Sequence, residues 1–185
     1  MATISRKISF VLATILAFAI TSIPAAAEQT IVVVDVNAAL TNSKAGKSMA
    51  SQIESQMKVL SDDAQKFEAR MASEVEKLKE QSSLMAPDAQ RTKVEELRLE
   101  ELQAKQELGK RQRAIQAGGQ KAGQEILKVA LEELAAIAEQ RNAALVVRRD
   151  AVFISSPSLD VTKDVVSAID KKLSSVKVKP IEVTE

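Results

Sequence analysis

The chain has no cysteine, no histidine, no tryptophan and no tyrosine among its 185 residues. Each absence removes a class of chemistry. Without cysteine there are no disulfides, no thiolate metal sites and no thioether-linked lipid. Without histidine as well, Cys–His and Ser–His–Asp machinery and imidazole metal sites are excluded. Two of the four phenylalanines, Phe10 and Phe18, fall in the first 27 residues, leaving Phe67 and Phe153 beyond them. Base-stacking platforms need aromatic faces, so this composition argues against single-strand nucleic-acid binding, and nucleic acid is not an expected partner. Proline and glycine are also few, at four and five, and no apolar run after residue 27 is long enough to span a bilayer.

The first 27 residues read as a cleavable secretory signal. Arg6 and Lys7 supply the positive start, Ile8 to Ile20 is mostly apolar, and Pro24-Ala25-Ala26-Ala27 offers a small-residue cleavage site after Ala27. An uncleaved membrane anchor is the competing reading. With Arg6 and Lys7 gone, 24 basic residues face 25 acidic ones, a formal charge of −1. Global charge therefore selects no anionic partner.

What the chain has in abundance is helix-forming sequence. Ala, Glu, Gln, Lys, Leu and Met dominate residues 44–140. Met49, Ile53, Met57, Leu60, Ala64, Phe67, Met71, Val75 and Leu78 recur every three or four residues, one apolar stripe on an otherwise wet helix. Pro87 is expected to end this outgoing limb, with Asp88 capping the return. On the return limb Leu108, Ile115, Ala122, Val129 and Ala136 recur every seven residues, as an antiparallel helix pair requires. Between 103 and 125 that seam is poor in large residues and rich in glycine. Gly118, Gly119 and Gly123 are the expected arm hinge.

The flanks are short. Thr30 to Val36 is β-branched and reads as a strand; Ala144 to Arg148 and Ala151 to Ser155 read as a hairpin. A last amphipathic helix opens at Asp160-Val161-Thr162. The expected layout is a signal at 1–27, a discontinuous β-body at 28–43 and 141–174, a helical arm at 44–140 and a flexible tail at 175–185. The fold class is α+β, mostly α, with a long antiparallel helical hairpin on a small β-sheet body. Such a body is too small to be stable alone without staples, so an obligate oligomer is expected. Ile31, Val33, Val146 and Phe153 are the expected oligomer core.

Three motifs invite chemistry. Gly46-Lys47-Ser48 after a strand resembles the end of a phosphate-binding loop, but Thr41 stands where that motif needs glycine. The acidic pairs Asp62-Asp63, Glu95-Glu96 and Glu132-Glu133 point apart on a helix and gather no third ligand. Residues 105–128 carry a local charge of +4, with Lys110, Arg111 and Arg113 at their centre. This run reads first as a solvated face and second as an attraction for acidic clients or a transient membrane-surface contact. Met49, Met57, Met71 and Met85 lie on the outgoing limb or at its tip; they read first as helix-pair filling and second as an adaptable binding surface. Met57, Met71, Met85, Lys110, Arg111 and Arg113 are the client-contact candidates. No cofactor, metal or catalytic group is expected.

Ile31-Val32-Val33-Val34-Asp35-Val36-Asn37 with Ser43-Lys44-Ala45-Gly46-Lys47, the tip sequence Asp88-Ala89-Gln90-Arg91-Thr92-Lys93, and the closing series Ala144–Val147, Val152–Ile154 and Ser158–Thr162 together resemble the Skp (OmpH-like) family of periplasmic chaperones. The resemblance implies a jellyfish-like trimer whose arms enclose a cavity, and ATP-independent holding of unfolded outer-membrane proteins. The family's best-known members are strongly basic and this chain is not, so no lipopolysaccharide site is carried over. A tethering coiled-coil protein of the envelope, binding one defined partner, is the alternative reading.

Overall fold

The computed structural model describes residues 30–182; the signal segment and its cleavage point lie outside the described residues. Strand β1 (Thr30–Val34) is followed by α1 (Val36–Asn42), α2 (Lys44–Gln81), α3 (Pro87–Gln140), β2 (Ala143–Arg148) and α4 (Thr162–Lys172). Single 3-10 turns occupy Arg149–Ala151 and Pro157–Leu159.

The two long helices arise where the helix-forming composition is uninterrupted. α2 has 38 residues and α3 has 54, so at ~1.5 Å per residue they extend on the order of 57 and 80 Å. The extra length of α3 lies at the root, where it passes beneath the body. Pro87 does not stop α2, which already ends at Gln81. It occupies the first turn of α3, where its missing N–H leaves no bond unmade. Asp88 sits in that same turn and the cap position belongs to Ala86, so Asp88 is not the cap expected from the sequence.

α1 is absent from the sequence-based expectation, which carried the strand to Val36. Asp35 explains the difference: its Oδ1 accepts from the Ala38 N–H at 2.8 Å and turns the chain into helix. Ser43, fully buried, then accepts from the Gly46 N–H at 3.0 Å and starts α2. A side chain on Gly46 would sit 1.9 Å from the Leu40 carbonyl oxygen. That glycine is there for close approach between α1 and α2.

β1 and β2 pair in parallel, with Val33 opposite Val147. The Val161 N–H donates to the Val33 oxygen at 2.9 Å on the other side of β1. No strand forms at 151–155, so the expected hairpin is not present: the chain leaves β2 in a 3-10 turn, and Phe153 and Ile154 stand in solvent.

The core lies where α3, α4, α1 and β1 meet. Val34, Ala39, Ile126, Val161, Val165 and Ile169 are each at most 1% exposed. On α3 the buried line is Ile115, Ala122, Ile126, Ala130 and Leu134. Ala136, placed in the seam by a seven-residue repeat, is exposed. A straight helix keeps 3.6 residues per turn and drifts off a strict heptad. Of the segment expected to be a flexible tail, residues 176–181 instead pack on the root of the arm, with Val176 and Val178 each 5% exposed inside the core cluster.

Candidate functional site

Beyond the root, α2 and α3 form a two-helix rod with a single buried seam. Leu60, Leu78, Leu97 and Ile115 are buried there, and Met57, Phe67 and Met71 are half-buried. Two ion pairs cross the seam, Arg70–Glu100 at 2.5 Å and Arg111–Asp63 at 2.9 Å. The Arg70 guanidinium also lies 5.1 Å from the centre of the Phe67 ring. Its hydrogen bond to Glu100 raises the Arg70 pKa, and the bond from Lys77 lowers that of Glu74. The hydrogen bond to Glu101 likewise raises Lys105. All three groups are solvated, so these are weak, salt-sensitive contacts.

The six client-contact candidates separate by position. Met57 and Met71 are half-buried, and Met85 is half-buried at the tip. Lys110 and Arg113 are exposed, whereas Arg111 is half-buried and held by Asp63. The apolar surface that the arm does expose is supplied by other residues: Val59 at 52%, Leu84 at 88%, Val94 at 51%, Leu99 at 50% and Leu102 at 54%. Leu99 and Leu102, one turn apart, border a shallow cavity of about 350 Å³ together with Arg98 and Lys105. The signal for them was in the sequence: both are leucines outside the seam of the return limb.

The expected hinge glycines lie inside α3, which runs unbroken through all three. A side chain on Gly118 would meet the Lys179 backbone oxygen at 2.2 Å, and one on Gly119 would meet Ile53 Cδ1 at 2.8 Å. Gly123 lies beside the Met49 sulfur. Packing accounts for the first two.

The body also exposes apolar side chains, with Leu145 and Val146 on opposite faces of β2. Ile31 is 47% exposed, Leu145 54% and Val146 38%, and Phe153 and Ile154 are fully out. Val33, by contrast, is 2% exposed and belongs to the chain's own interior. β2 has one free edge, which adds unpaired backbone to this surface. Asp160 fastens the neighbouring corner. Its carboxylate accepts from the Thr162 N–H at 2.9 Å and pairs with Arg149 at 2.8 Å. The hydrogen bonds from Thr162 hold its pKa below the ordinary range. Among the described residues no cluster of three or more acidic side chains is disposed to hold a metal, and no helix is long and apolar enough to cross a membrane.

Comparison with known proteins bears on residues 30–169, which match the family described as Outer membrane protein (OmpH-like). A search of curated proteins finds no match. Among solved structures the fold is similar to that of a Caulobacter crescentus CB15 protein assigned as an OmpH-like outer membrane chaperone. The TM-score is 0.79 at 17% identity, covering 84% of this chain and 92% of that one.

Proposed function

Because the chain belongs to the OmpH-like family, we propose that it is a periplasmic holdase chaperone, working without ATP as a homotrimer on unfolded outer-membrane proteins. The observation that carries this reading is the set of apolar side chains spread along a charged two-helix rod, Val59, Leu84, Val94, Leu99 and Leu102. Scattered apolar contacts of this kind hold an unfolded chain by avidity and release it readily, because no single contact is strong. The basic and acidic residues between them keep the rod soluble when empty. The exposed body surface of Ile31, Leu145, Val146 and Phe153 supports the oligomer, joining three rods at one end around a cavity.

The test is aggregation of an unfolded outer-membrane β-barrel protein, followed by light scattering with the chain at stoichiometric ratio and no nucleotide. Suppression is expected. Its absence, together with capture of a single folded helical partner, would favour the tethering alternative. Sedimentation of the wild type should give three chains per particle, and Phe153→Asp with Val146→Asp should give one.

A further inference from the structure

The C-terminal segment lies along the arm root outside any sheet, held by two side-chain amides and one backbone bond. Gln52 Nε2 donates to the Val176 oxygen at 2.6 Å, and Gln52 Oε1 accepts from the Val178 N–H at 3.0 Å. One amide thus bridges the carbonyl of one residue and the N–H two residues on, as a neighbouring strand would. One helical turn away Gln56 repeats the arrangement: its Nε2 donates to the Val178 oxygen at 2.9 Å. Continued in the same register, the donor for its Oε1 would be the N–H of residue 180, which is proline and has none. Gln56 Oε1 is buried without a partner. Next along, the Ile181 N–H donates to the Ala114 carbonyl at 3.0 Å, and Gly118 leaves room for the Lys179 backbone.

Every polar contact here is to main chain, and the side chains alternate. Val176 and Val178 are buried while Lys177 and Lys179 are exposed. Recognition by backbone bonds with pockets for alternate side chains is tolerant of sequence and selective for an extended, period-two segment. Strands of outer-membrane barrels carry that pattern. Beyond Pro180 a cavity of about 390 Å³ remains, lined by Val59, Ile115 and the Arg111 stem.

We infer that the groove formed by Gln52, Gln56, Ala114 and Gly118 is a binding site for extended polypeptide with apolar residues at alternate positions, and that residues 175–181 occupy it in cis as an imperfect competitor. The proline leaves one acceptor unmet, so a client segment with any other residue at that register makes the bond that the tail cannot. This deepens the chaperone reading and rests on it for the nature of the client, while the groove itself rests on the geometry.

The probe is a fluorescent peptide of residues 174–182 carrying Pro180→Ala. Binding is read by anisotropy against the full-length chain and against full-length V176D/V178D, whose own tail is ejected. The variant should bind at least tenfold more tightly than the wild type, because the cis tail no longer competes at high effective concentration. Adding Gln52→Ala should abolish binding, and the peptide with native Pro180 should bind severalfold more weakly. Equal affinity for wild type and variant, or no effect of Gln52→Ala, overturns the inference. Hydrogen exchange on the wild type provides a readout that does not depend on the variant's folding. The Val178 and Ile181 amides should be protected alone and lose protection in excess peptide, while α2 and α3 stay protected; unchanged protection overturns it. If the peptide docks but barrel-protein aggregation is not suppressed, the groove stands and the chaperone reading fails. If aggregation is suppressed with tail protection intact, the reverse holds.

Discussion

The root of the molecule and the distal half of its arm are built from the same helices by different physics. At the root α3 is covered by α4, α1 and the C-terminal segment, and Ile126 and Ile169 are wholly out of water. Farther out each helix has only the other to pack on. The buried set thins to isolated residues such as Leu78 and Leu97, and exposed ion pairs fill the spaces. Exposed pairs contribute ~0.2–1 kcal/mol each, whereas a fully buried branched side chain contributes several times that. Stability is therefore concentrated at one end. The other end is a surface held in place by a root it does not itself stabilise.

Four measurements break or sharpen that contrast. The largest effect is expected from Ile126→Ala, which leaves a cavity under several elements and should cost about 3–4 kcal/mol in chemical denaturation. Gly46→Ala forces α1 from α2 and should cost about 2 kcal/mol by the same measurement, since the clash is with backbone rather than with a mobile side chain. Leu78→Ala should cost about 1.5 kcal/mol, read as a local rise in hydrogen exchange near the tip with the root unchanged. If Leu78→Ala lowers the global transition as much as Ile126→Ala does, the two regions are one cooperative unit and the contrast fails. Arg111→Ala should cost no more than about 0.5 kcal/mol, and that difference should vanish in 1 M salt.

Acid sharpens the contrast from another side. Asp160 has its folded pKa lowered by Thr162 and Arg149. Its contribution is thus fully present above the ordinary carboxylate value of 3.8 and is lost as pH falls below that through the folded value. The α4 corner of the body should loosen in this range, and Asp160→Asn should remove that part of the acid dependence.

The arm was legible in the sequence because its periodicity runs for many turns, and α2 and α3 fall within the expected 44–140. Shorter elements were not. α1 has seven residues, too few for a period to show, and its only advance mark is Asp35 at the capping position. Val152-Phe153-Ile154 has the composition of a strand, but a strand forms only by pairing, and among the described residues this segment pairs with none, the free edge of β2 included. Val176-Lys177-Val178-Lys179 shows the converse: its alternation marks one buried face, and Val176 and Val178 fill the core although no regular element forms there. Of the candidate contacts, the methionines offer soft side chains, yet Met57 and Met71 lie partly in the seam, and the exposed leucines carry more open apolar surface. Periodicity tells which face is buried only when the partner's position is known.

The parallel pairing of β1 with β2 has a kinetic consequence. Roughly 110 residues separate the two strands, and closing a flexible loop of that length costs about 4 kcal/mol in chain entropy. Helices form from local contacts and need no such closure. Once α2 folds back against α3, only α1 and the overhang of α3 at the root separate the two strands. The arm thus acts as its own assembly jig: it converts a remote strand pairing into a near-neighbour one, and the body is expected to order only after the rod has zipped.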